Sequence, residues 1–138
     1  MSTSTPRKPS HLRLVGRGAP RQDAQVERAI TLMSEQLEKR WTVTALARSV
    51  GLSRPAFARR FVEQTGLSPL RYLTRSRMAR AAELLRQSDA GLAQIGQLVG
   101  YDSEYAFNRA FKRHHQLAPG SFRRRASFAT APVFRAAA

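Results

Sequence analysis

The sequence contains no cysteine. Disulfides, thiolate metal sites and a thiol nucleophile are therefore excluded together. Acidic residues are scarce, nine against 24 Lys and Arg, and the formal net charge is +15. Such an imbalance points to a polyanionic partner. No stretch approaches the roughly 20 apolar residues of a membrane span. The N-terminus lacks the unbroken apolar segment of a secretion signal, so no membrane association is expected and the cytoplasm is the default location. A glycine-rich phosphate loop and a His–acid pair at defined spacing are also missing, so neither an enzyme nor a cofactor is expected. His114 and His115 are adjacent, but no acid or cysteine stands at ligand spacing. Packing, or capping a helix end, is the expected role there, and no metal.

The charge is unevenly spread. Residues 1–22 carry five bases and no acid, residues 123–138 four arginines and no acid, leaving fifteen bases against nine acids between them. The composition predicts a disordered basic leader over 1–22, a folded domain over 23–125 and a disordered tail over 126–138. The leader can be a basic arm for phosphate or a minor groove, or simply solvated chain.

The most informative stretch runs from Gly100 to Arg113. Ser103 suits a helix N-cap and Glu104 a helix N-terminus. Phe107, Ala110 and Phe111 then fall on one face, while Glu104, Tyr105, Asn108, Arg109 and Lys112 fall on the other. Gly100, after Ile95, Leu98 and Val99, fits a tight turn between two helices. Arginine can bond guanine O6 and N7 together, and asparagine can do the same for adenine N6 and N7. The pattern also occurs about 50 residues earlier. Val50 and Gly51 match Val99 and Gly100, while Ser53, Phe57, Arg59 and Phe61 match Ser103, Phe107, Arg109 and Phe111. Leu67 and Pro69 match Leu117 and Pro119. The one-residue change in offset falls in the turn, where insertion is least disruptive.

The second copy, with Val99-Gly100-Tyr101, Ser103-Glu104 and Phe107-x-Arg109-Ala110-Phe111-Lys112-Arg113, resembles the AraC/XylS family of bacterial transcription regulators. The likeness covers roughly Asp23 to Arg124 and includes Arg77, Met78, Ala81, Leu84 and Leu85 between the copies. Gln116 departs from it, standing where glycine is usual, as does Gly96, in place of alanine. The resemblance implies an all-α fold of about seven helices: helix-turn-helix units at 43–65 and 92–115, joined by a linker helix at 69–87. It also implies a sequence-specific double-stranded-DNA regulator, commonly an activator, with RNA polymerase as a further partner. Many relatives carry a sensing and dimerising domain for which this chain has no room, so a monomer on DNA without a small-molecule domain is expected, associated with the nucleoid.

Taken in order, Asp23 caps a first helix running to about Lys39, with Val26, Ile30, Met33 and Leu37 on one face. Trp41 precedes Thr42, the N-cap of the second helix, where core or staple packing is favoured over base stacking. Pro55 and Pro69 are tolerated in first turns, where the missing amide has no helical partner. The resemblance implies a structural role for Arg77, pairing with an acid or a helix end. Other arginines of the linker, including Arg71 and Arg75, either contact phosphate or are solvated. A final short helix spans Pro119 to about Arg124.

The expected base-reading residues are Arg54 and Arg59 on helix 54–64, and Glu104, Tyr105, Asn108 and Arg109 on helix 104–115. Glu104 could accept from cytosine or merely favour the helix N-terminus. Expected phosphate contacts are Thr42, Ser53 and Arg60 in the first unit. In the second they are Ser103, Lys112, Arg113, Ser121 and Arg123. The outer face of the earlier helix, with Pro55, Ala58 and Val62 around Arg59, is poor in hydrogen-bonding side chains. This predicts that the first unit anchors while the second discriminates. The competing reading is a cationic protein that coats nucleic acid without sequence preference.

Overall fold

Polar residues before four helices accept the amides that the first turns leave open. Asp23 accepts from Gln25 and Val26, Thr42 from Ala45, Ser53 from Ala56 and Ser103 from Ala106. The computed structural model describes residues 22–127. The leader expected over 1–22 lies outside the described residues except for Gln22, and the expected tail does so from residue 128 onward. The helices are α1 (Ala24–Glu35), α2 (Val43–Ser49), α3 (Arg54–Thr65), α4 (Pro69–Gln87), α5 (Leu92–Leu98) and α6 (Glu104–His115). A last helix, α7, covers 119–127, past the expected stop near Arg124. There is no strand among the described residues.

α1 stops earlier than its apolar spacing suggests, at Glu35 rather than near Lys39. Side-chain donors outside α1 take the carbonyls that further helical turns would use. Trp41 Nε1 donates to the Gln36 carbonyl, and Arg77 donates through Nε to Leu37 and through Nη2 to Lys39. Trp41 is itself buried, in the core position expected of it.

Two hydrophobic cores form, and α4 belongs to both. The first gathers Val26, Met33 and Trp41 with Leu46, Val50, Phe57 and Phe61, and Leu73 of α4 closes it. The second gathers Met78, Ala81, Ala82 and Leu85 of α4 with Ile95, Val99, Phe107 and Phe111. Residues 78, 81, 82 and 85 form one helical stripe, so α4 changes allegiance between Leu73 and Met78, about one and a half turns. His115 packs on Phe111 at 4.3 Å and on Phe122 at 5.5 Å, and its Nε2 lies 3.3 Å from the Met78 carbonyl. Among the described residues, no helix is long and apolar enough to cross a membrane.

The two units also touch directly. The Arg77 guanidinium, on the carbonyls after α1, lies so close to Gly100 that a β-carbon there would meet it at 2.7 Å. Gly100 also has φ of 103°, a conformation that disfavours side chains. Two constraints thus require glycine at this position. Tyr101 presents its ring 5.8 Å from the same guanidinium, and burial holds the Arg77 pKa below its ordinary value. Arg40 pairs with Asp102 at 2.6 Å across the units, although both side chains are at least 75% exposed, so this bridge contributes little.

Candidate nucleic-acid interface

α6 is amphipathic and its apolar side is fully committed, because Phe107 and Phe111 are buried. The opposite side is therefore left to solvent or to a partner. Glu104, Tyr105, Arg109, Lys112 and Arg113 are exposed there, with Tyr105 at 70%. The Arg109 guanidinium lies 5.6 Å from the centre of the Tyr105 ring. That cation–π contact orients the guanidinium while leaving its donors free. Asn108 is only half-buried, but its Oδ1 is fully covered and accepts from no donor among the described residues. A covered acceptor without a partner is costly.

α3 offers a plainer surface. Arg54, Pro55 and Arg59 are exposed, Ala58 is half-buried and Val62 exposed. Neither arginine makes an ion pair among the described residues. Thr42, Ser53 and Ser103 are exposed, and each uses an oxygen lone pair for its cap, so the hydroxyl proton can still be donated outward. Ser121 is half-buried and accepts from Arg124 Nη2 at 3.2 Å. Lys112 and Arg113 occupy the last turn of α6, where cations suit the helix dipole.

Two of the residues expected at phosphates are occupied inside the protein. Arg60 donates from Nε to Asp23 Oδ2 at 2.9 Å, and from Nη2 to Asp23 Oδ1 at 2.9 Å and Gln25 Oε1 at 2.8 Å. The pairing lowers the Asp23 carboxyl below its usual range, chiefly through the Arg60 hydrogen bonds, and raises the Arg60 pKa. Arg123 donates to the carbonyls of Leu85, Ser88 and Ala90, closing the end of α4. Both corrections have one cause: the partners lie 33 to 38 positions away, beyond the reach of a local pattern. Arg77 does join a helix end, as expected, at the carbonyls that follow α1. The sequence reading also missed a surface that only the fold assembles, a trough over α4 that runs from Leu67 to α6.

A family model described as a helix-turn-helix domain matches residues 46–125. A Streptomyces lividans protein named as an AraC-like transcription regulator is 42% identical over 102 residues, covering 74% of this chain and 34% of that protein. This chain thus spans about a third of the length of such relatives. The solved DNA-binding domain of AdpA, described as a global transcriptional factor in complex with a target DNA, is 30% identical with a TM-score of 0.72. That match covers 78% of this chain and 96% of the AdpA domain. A Chromobacterium violaceum transcriptional regulator with an AraC-type DNA-binding domain is 28% identical with a TM-score of 0.69, covering 75% of this chain and 92% of that one.

Proposed function

Because the chain belongs to the AraC/XylS family of helix-turn-helix regulators, we propose that residues 23–125 bind a specific site on double-stranded DNA and thereby regulate transcription. The helix-turn-helix at 43–65 places α3 in one major groove, and that at 92–115 places α6 in the next. One observation carries this reading: two equivalent helices, each capped by serine and anchored by two buried phenylalanines, stand at either end of one continuous helix. With 19 residues, α4 is about 28 Å long. Major grooves recur on one face of B-DNA about every 34 Å, a separation that such a connector can serve.

Arg109 and Asn108 are the principal base readers in this proposal, for guanine and adenine respectively. Tyr105 and Glu104 stand beside them, and Arg54 and Arg59 read in the other groove. Thr42, Ser53, Ser103, Ser121, Lys112 and Arg113 hold phosphates and fix register. The protein acts as a monomer on DNA in the nucleoid, commonly as an activator in contact with RNA polymerase, and no catalysis is proposed. Competition at physiological salt tests the reading. Specific binding survives an excess of unrelated duplex by a factor of at least about 10³. Equal competition by any duplex would make this a cationic coat, the function that the +15 charge alone would serve.

A further inference from the structure

From Leu67, in the turn after α3, to α6, the surface over α4 forms two adjoining open clefts of about 430 and 400 Å3 that share Thr74 and His114. The first extends past Tyr101 to Arg109 and Arg113 on α6. The second extends along α4 past Arg71 and Arg75 to Leu70 and Leu67. Four arginines and a histidine therefore border one trough, and no carboxylate of the described residues lines either part of it. The ion pairs among the described residues are Arg40–Asp102, Arg60–Asp23 and Arg80–Glu83, and none involves these four arginines. Arg75 lies 5.1 Å from the centre of the Tyr72 ring, which orients the cation without neutralising it. Burial first, then the charges of His115 and Arg75, lower the His114 pKa. Leu67, half-buried, and Leu70, 42% exposed, give the second cleft an apolar wall.

A row of unneutralised guanidiniums beside the exposed Leu70 and half-buried Leu67 matches a sugar–phosphate strand, which alternates a charged phosphate with an apolar sugar face. The trough opens beside Arg109, on the surface that carries the α6 reading residues. A duplex lying along α3 and α6 presents to the ground between them the backbone that separates its two major grooves. We propose that this trough seats that intervening strand: Arg71, Arg75, Arg113 and His114 hold its phosphates, and Leu67 and Leu70 pack against deoxyribose. The assignment rests on the DNA-binding reading above and adds Arg71, Arg75 and His114 to its phosphate contacts. Because phosphates carry no sequence, these residues supply affinity and register rather than discrimination.

The test uses the full chain with two duplexes, a selected specific site and an unrelated one. Arg75→Ala, and Arg71→Ala with Arg75→Ala, are expected to weaken binding to both duplexes by the same factor, about tenfold for the pair. Each removed arginine should lower the salt-dependence slope by about one. Arg75→Lys should restore most of the slope. Replacing a spacer phosphate of the specific site by an uncharged methylphosphonate should weaken wild-type binding but have little further effect on the double variant. Unchanged affinity and slope in the double variant, with the fold verified by circular dichroism, would overturn the assignment. So would a variant that loses inorganic phosphate binding but keeps its affinity for both duplexes, since the trough would then serve a free anion. If wild-type protein fails to discriminate the duplexes while Arg75→Ala still lowers the slope, the trough stands and the base-reading proposal fails.

Discussion

Phe61 and Phe111 hold the same place in the two helix-turn-helix units. Each meets the edge of a ring eleven residues onward at 5.3 Å, Tyr72 in the first unit and Phe122 in the second. Two serine-capped, phenylalanine-anchored helices follow from that shared interior. The units differ where the interior does not constrain them. Gly66 ends α3 in the left-handed region with φ of 81°, whereas Gln116 ends α6 there with φ of 67°. Ala47 is buried in the first unit, but at the matching Gly96 a methyl would lie 3.0 Å from the Phe107 β-carbon. The second unit packs its two helices against bare backbone at that point. Outward, α3 offers Pro55, Ala58 and Val62 around Arg59, and α6 offers Tyr105, Asn108, Arg109 and Lys112. After duplication, the buried faces kept one plan while the outer faces and helix ends diverged.

Removing the shared interior should have the largest effect. Phe57→Ala and Phe107→Ala are each expected to cost about 3–5 kcal/mol of stability, measured by urea unfolding. A much smaller cost in one unit would mean that its ring is less confined than its burial indicates. The next largest effect separates the outer faces. Arg109→Ala should lose about 1–3 kcal/mol on the specific site and little on unrelated DNA, with Arg59→Ala losing less. Titrations of both variants against both duplexes check this, and a larger loss for Arg59 would reverse the proposed roles.

The helix starts were legible because their causes are local: Asp23, Thr42, Ser53 and Ser103 each accept amides two or three residues onward. The buried phenylalanines were legible for the same reason, since helical spacing repeats within one turn. The end of α1 was not legible, because it is set by donors on Trp41 and Arg77. The duties of Arg60 and Arg123 were equally hidden, as was the covered oxygen of Asn108. A basic residue in a sequence shows its charge but not which carbonyl or carboxylate the fold will bring to it. Arg60 and Arg109 were both expected on the DNA, and the Asp23 carboxylate claims Arg60.

That separation can be measured. Asp23 caps α1 and holds Arg60, duties with no counterpart at Ala110, the match of Arg60 in the second unit. Asp23→Ala should cost about 0.5–2 kcal/mol, within the range for a lost N-cap, without changing discrimination between duplexes. Because the folded carboxyl is held below its ordinary value of 3.8, its stabilising share is fully present above that pH. It is lost as pH falls through the lowered folded value. Thermal unfolding of wild type and variant between pH 2 and 6 checks this, and curves that fail to converge at the acid end would contradict it.

The smallest effect concerns the helix ends. Gln116→Gly relieves a left-handed non-glycine residue and should stabilise the second unit by about 1 kcal/mol. Gly66→Gln should destabilise the first by a similar amount. Both are read as shifts in the denaturation midpoint, and no gain for Gln116→Gly would mean that its Nε2 bond to the Arg113 carbonyl already offsets the strain.

The central claim is that two copies of one reading helix serve one duplex unequally. Selecting binding sites from fully randomised duplexes with the purified chain tests it most directly. The expected result is a site with two half-sites about one helical turn apart, the half facing α6 carrying more sequence information. Failure to enrich any motif, or equal information in the two halves, would contradict it.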